Sequence, residues 1–119
     1  MLDKRVIDME DALTRALGDV AFLKMMFDEL LQMIPSLISA IAADVEKGDM
    51  AQLSKDAHQF KGATASLGVV GIAAAAYRLE CIGKSGNTAE IQEAITNLKT
   101  AVADFQDHLS YVDWSDLAA

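Results

Sequence analysis

Three residues on one stretch of the chain can do chemistry together: His58, Lys61 three positions on, and Gly62 four positions on. The stretch reads as helix, and side chains four apart on a helix lie one above the other. Gly62 therefore leaves open the space beside the His58 imidazole, while Lys61 sets a mobile cation next to it. A glycine inside a helix costs about 1 kcal/mol relative to alanine, so its presence asks for a reason other than helix stability. An uncrowded imidazole beside a positive charge suits a group that takes up, holds and releases an anion such as phosphate.

The helical wheel sharpens this. Between Met50 and Leu67 the apolar positions are Met50, Leu53, Ala57, Phe60, Thr64 (through its methyl) and Leu67, separated by 3, 4, 3, 4 and 3 residues. Such a stripe faces the core of a bundle. At about 100° per residue, His58 falls about 130° from the centre of the stripe and Gly62 nearly opposite it. His58 is therefore predicted to be exposed, and Gly62 has no packing role on an outward face. A neutral imidazole attacks phosphorus through a ring nitrogen at physiological pH. The phosphoramidate it forms keeps a high transfer potential, so the phosphate can be passed on. A protein of this kind needs no cleft of its own, because a partner can bring metal and geometry.

Other chemistries lack their parts. A catalytic triad needs nucleophile, base and orienting group in one pocket, and nothing brings Cys81 to His58. The glycine loop and magnesium ligands of a nucleotide kinase are missing. Glu80 and Asp56 read as solvated carboxylates on a bundle surface. The single Cys81 can form no intramolecular disulfide, as suits a reducing compartment, and reads as a small buried hydrophobe. No Cys/His pair stands at zinc spacing. A net charge of −8 argues against nucleic acid and against an anionic membrane surface. The expected partner is a protein.

With 119 residues, 52% hydrophobic and 24% charged, the chain suits one domain spanning 1–119. One proline, seven glycines and no strand-like alternation point to an all-α fold. No apolar run is long enough to span a bilayer and the start lacks a secretory core segment, so a cytoplasmic location is expected, with a free-standing protein and a domain of a larger kinase both open. A short helix runs from Met9 to Leu17, stopped by Gly18. Asp19 caps a second helix reaching about Lys47, with core stripe Leu23, Phe27, Leu30, Ile34, Leu37, Ile41 and Val45. Pro35 inside it predicts a kink. Gly48 ends that helix and Asp49 caps the third, about 50–67. Gly68 and Gly71 bracket the connection to a fourth, about 70–84, where the run Ala73–Ala76 allows close approach. Asn87-Thr88-Ala89-Glu90 resembles a capping box before the last helix, whose seam is Ile91, Ile95, Leu98, Val102, Phe105, Leu109 and Val112. Amphipathic helices with short connections predict an antiparallel up-down-up-down four-helix bundle with a short extra N-terminal helix. Residues 113–119 read as a loose tail that Trp114 could pin.

The segment Ala57-His58-Gln59-Phe60-Lys61-Gly62-Ala63-Thr64-Ala65-Ser66-Leu67-Gly68, with Leu79-Glu80 further on, closely resembles the histidine-containing phosphotransfer (HPt) domain. That family's pattern is His-x-x-Lys-Gly, a run of small residues, Leu-Gly, then Leu-Glu on the next helix. The resemblance implies a four-helix bundle that relays phosphate between aspartates of receiver domains in two-component phosphorelays. It implies phosphorylation of His58 on Nε2, charge neutralisation by Lys61, and clearance for the receiver at Gly62. Gln59 and Ala65 are the implied partner contacts. A polar side chain on the neighbouring helix holds the other ring nitrogen in this family, and Glu80 is the candidate, although its wheel position lies beside the core-facing Leu79 and Ala76. The implied partners are response-regulator receiver domains and a hybrid sensor kinase. The protein is expected to be a monomeric phosphocarrier with no cofactor of its own, Mg2+ residing on the receiver.

Independently of the resemblance, the second helix is more apolar than one core stripe requires. Phe22, Met26 and Met33 form a flanking line. Met-rich surfaces adapt to several partners, so Met26 and Met33 are candidate partner contacts, with Phe22 assigned to the core. Two other readings compete: a helical binding adaptor in which His58 is only a contact, and a metal-binding bundle using His58, His108 and carboxylates.

Overall fold

In the computed structural model, which describes residues 3–118, six helices follow one another: α1 Met9–Arg15, α2 Val20–Lys47, α3 Met50–Ala65, α4 Val70–Ser85, α5 Ile91–Ser110 and α6 Trp114–Ala118. Helices α2 to α5 form an antiparallel up-down-up-down bundle with extents of 49 × 22 × 20 Å. Three aspartates start helices by accepting a backbone N–H at the N-cap: Asp8 from Asp11, Asp19 from Phe22 and Asp49 from Gln52. The turn from α2 to α3 needs only two residues, because Gly48 adopts a left-handed φ of 68°. The expected capping box before α5 does not form. Asn87 lies too early, and its Oδ1 accepts the N–H of Ala89 within the loop, while Glu90 takes the N-cap position with no side-chain hydrogen bond.

The predicted stripes build the core. Leu23, Phe27, Leu30, Ile34 and Ile41 of α2 meet Leu53, Ala57, Phe60 and Thr64 of α3, with Ile72, Ala76 and Leu79 of α4 and Leu98, Val102 and Phe105 of α5. Leu37 and Val45 are only half-buried. Phe27 stands at the centre, edge-on to Phe105 at 5.8 Å and to Trp114 at 5.9 Å. Edge-to-face pairs contribute about 0.5–1.5 kcal/mol beyond their buried area. That contact corrects the expectation of a loose tail: Trp114 draws residues 114–118 into a short helix against α2. Ala119 lies outside the described residues. Helix α2 runs unbroken through the exposed Pro35. Its bounds are those the sequence predicts, but its 28 residues include a window of mean hydropathy 1.3, enough by length and composition to cross a membrane, contrary to the expectation that no apolar run is that long. The bundle stripe accounts for part of that apolarity. The rest lies on its outer side, at Phe22, Met25 and Met33.

Asp44 interrupts the core side of α2. It is 7% exposed and its Oδ2 has no hydrogen-bond partner. Burial first, and the Asp56 carboxylate of α3 second, push its pKa up from 3.8 to about 6. A raised folded-state pKa means that the protonated carboxyl favours folding. This stabilisation is complete below about pH 3.8 and is lost as pH rises through about 6. Asp44→Asn removes the charge and is expected to raise stability at pH 8 by about 1 kcal/mol. The gain should shrink toward zero at pH 4, as urea denaturation at the two pH values can show. A gain equal at both pH values would exclude charge burial as its source.

Candidate functional site

The stripe that turns Leu53, Ala57 and Phe60 inward leaves His58 facing out, its side chain 65% exposed. One turn on, a Cβ added to Gly62 would meet nothing within 4 Å. Opposite, α4 comes very close to α3. A Cβ on Gly83 would lie 2.7 Å from the Ser54 nitrogen and 2.8 Å from the Met50 oxygen. This approach sets Glu80, one turn before Gly83, against the imidazole. Its Oε2 is 3.1 Å from His58 Nδ1. The same oxygen lies 2.9 Å from Lys84 Nζ, and Oε1 lies 3.0 Å from Lys61 Nζ. Glu80, read from sequence both as a solvated carboxylate and as the candidate partner of the second ring nitrogen, is 2% exposed, contacts that nitrogen and is the hub of the cluster.

The charges around Glu80 favour one tautomer of His58. The Lys84 ammonium first and that of Lys61 second hold the Glu80 carboxyl down to about 2. Burial opposes them, and the contact with His58 adds to the lowering. Ionised, Glu80 can only accept hydrogen bonds. Nδ1 of His58 must then be the protonated nitrogen, and Nε2 points its lone pair away from Glu80. In this structure Lys61 does not point at the imidazole. It is parked between Glu80 and the exposed Tyr77, whose ring centroid lies 5.0 Å from Nζ. Its approach to Oε1 is close but poorly aligned, so charge rather than a well-formed hydrogen bond holds it.

The other predicted residues are more scattered. Gln59 is exposed beside His58, and Ala65 is exposed two turns along, about 10 Å at 1.5 Å per residue. Met26 is half-buried in a depression of about 180 Å³ with Phe22, Ala16 and Leu67. Met33 lines a separate groove of about 410 Å³ with Glu29 and Leu37. Phe22, expected in the core, is 45% exposed, because the depression between α1 and α2 is too shallow to cover it. Cys81 is likewise exposed rather than buried. His108 uses Nδ1 on the Asp104 carbonyl at 2.8 Å, and among the described residues no three His, Cys, Asp or Glu side chains are arranged to hold a metal. Sequence reasoning passed over Lys84, although its i,i+4 spacing from Glu80 was a usable signal.

Residues 21–108 match the family model of the Hpt domain. Among solved structures, the chain is similar to the crystal structure of histidine-containing phosphotransfer protein B from Pseudomonas aeruginosa PAO1. The likeness has a TM-score of 0.73 at 19% identity, over 91% of this chain and 97% of that one, and it speaks for the fold. No curated protein sequence matches significantly.

Proposed function

The chain belongs to the Hpt domain family, and from that premise we propose that His58 is its phosphoacceptor, taking a phosphoryl group from the phospho-aspartate of one receiver domain and passing it to another receiver. Histidine phosphotransfer in two-component signalling is the general role of the family. The observation that carries the residue-level reading is the contact of Nδ1 with an ionised, buried Glu80, which leaves Nε2 as an exposed nucleophile. The Nε2 lone pair attacks phosphorus, and an Nε2–P bond forms as the P–O bond to the aspartyl carboxylate breaks. That carboxylate leaves with the electron pair. Nδ1 keeps its proton throughout, so the product ring is a phospho-imidazolium whose positive charge faces Glu80. Return of the phosphoryl group reverses each change.

Lys61 neutralises charge on the phosphoryl oxygens, and Gly62 leaves room for the incoming receiver. Gln59, Ala65, Met26 and Met33 make contacts with it, the two methionines adapting to donor and acceptor in turn. The receiver brings Mg2+ and in-line geometry, and a hybrid sensor kinase supplies the phosphate. The protein itself is a monomeric cytoplasmic carrier and not an enzyme. Mixing it with a radiolabelled phospho-receiver tests this. Label should move to the protein in acid-labile, base-stable form and then chase to a second receiver. Label that stays on the receiver while the two proteins bind would instead make this chain an adaptor.

Gly62→Gln gives a sharper check on the clearance role. Replacing a helical glycine in open space should raise stability by about 1 kcal/mol, and the longer side chain should slow transfer about tenfold or more by spoiling the approach. Thermal melting and transfer rate, read on the same sample, must move in opposite directions. A variant that transfers as fast as the parent would remove Gly62 from the mechanism.

A further inference from the structure

Phosphorylation of His58, the reading on which a role for Lys84 rests, makes two demands on the cations around Glu80. A phosphoryl group on Nε2 needs a positive charge on the side of the ring away from Glu80. The candidate is Lys61, one turn along α3 from His58, which in the resting protein lies on Glu80 Oε1. If Lys61 left before the imidazolium charge develops, and no other cation stood in place, a carboxylate with only 3% of its side chain exposed would lose its charge partner.

Lys84 answers that problem. Its Nζ holds the other oxygen, Oε2, the one that also faces Nδ1, at 2.9 Å. Glu80 and Lys84 sit four apart on α4, so the helix itself sets their pairing. Lys84 occupies the last turn, where the helix dipole favours a cation. Lys61, by contrast, comes from the other helix and rests against an exposed aromatic ring. Nor is Lys84–Glu80 an ordinary surface ion pair of small effect, because its acidic partner is buried. We propose that Lys84 is the standing counter-ion of Glu80, holding that carboxylate against Nδ1 of His58 so that Lys61 is free to swing to the phosphoryl group. Lys84 is thus a positioning residue, acting through Glu80.

The test uses the full chain and phosphoramidate as a small donor, which takes receiver docking out of the measurement. Its P–N bond breaks as the Nε2–P bond forms, and ammonia departs with the electron pair. Phosphohistidine formation is timed by NMR for the parent, Lys84→Met, Lys84→Gln and Lys84→Arg, with the His58 ring and Lys61 Nζ observed through 15N. In the parent the Lys61 signal should move on phosphorylation. Both neutral variants should slow the reaction roughly tenfold, the scale on which outer partners of a functional histidine act. They should also show a second His58 tautomer and leave the Lys61 signal in place, and Lys84→Arg should restore rate, tautomer and Lys61 shift. Neutral variants with the parent's rate and single tautomer overturn the proposal, as does a loss that Lys84→Arg fails to repair. A parent that takes no phosphate, or takes it away from His58, instead defeats the phosphoacceptor reading, so the two failures are told apart.

Discussion

His58→Gln will accept no phosphoryl group from a phosphorylated receiver, and it will melt within a degree or two of the parent. Glutamine keeps a polar N–H donor near the place of Nδ1, so Glu80 retains a partner and its two lysines. The imidazole side chain is 65% exposed, so little packing goes with it, and exposed substitutions of this kind change stability by about 0.5 kcal/mol or less. What disappears is the nucleophile, since an amide nitrogen has no free lone pair to offer phosphorus. No second imidazole can take over. His108 lies on α5 with Nδ1 engaged by the Asp104 carbonyl, and α5 does not carry the Glu80–Lys61–Lys84 cluster. The loss should therefore be complete rather than partial, measured as label incorporated at saturation beside a melting curve that shows an intact fold. Residual incorporation in His58→Gln would move the acceptor to another side chain and take the mechanism with it.

How much of this was legible beforehand differs between the elements and their relations. The stripe Leu53–Ala57–Phe60–Thr64 and the caps Asp19 and Asp49 are local signals, and the helices they define stand where periodicity puts them. The outward placement of His58 follows from the same stripe, since one helix wheel suffices to fix it. Glu80 could not be placed that way. Its position beside Leu79 and Ala76 pointed to the core, its charge pointed to solvent, and only the spacing of α3 from α4 decides between them. With two lysines and an imidazole within 3.1 Å, burial of the carboxylate becomes tolerable. Asp44 posed the same conflict and went unnoticed, because the half-buried Val45 beside it carried the stripe. The tail and Phe22 failed for a related reason: whether an aromatic is covered depends on where a distant helix ends. Trp114 finds Phe27, while Phe22 finds only a shallow hollow.

The spacing of α3 from α4 can itself be tested with one methyl group. Gly83→Ala is expected to lower stability by about 2 kcal/mol, even though alanine is the better helix former. The added carbon would lie 2.7 Å from the Ser54 nitrogen and 2.8 Å from the Met50 oxygen. Both are backbone atoms of α3 and cannot rotate aside, so the two helices must move apart. Overpacking against so rigid a wall costs about 3 kcal/mol, the upper end for an added methylene, and the propensity gain returns about 1 kcal/mol of it. At about 4 °C per kcal/mol for a domain of this size, the melting temperature should fall by about 8 °C. Moving α4 outward also lengthens the 3.1 Å contact between Glu80 and His58 Nδ1, so transfer should slow although every polar residue of the site is still present. Gly62→Ala supplies the control, because it makes the same chemical change on a neighbouring helix in open space. That variant should gain stability where Gly83→Ala loses it. If both glycines respond alike, or if Gly83→Ala keeps the parent's rate while losing stability, then close helix approach does not set the geometry of the imidazole, and Glu80 must be held there by its lysines alone.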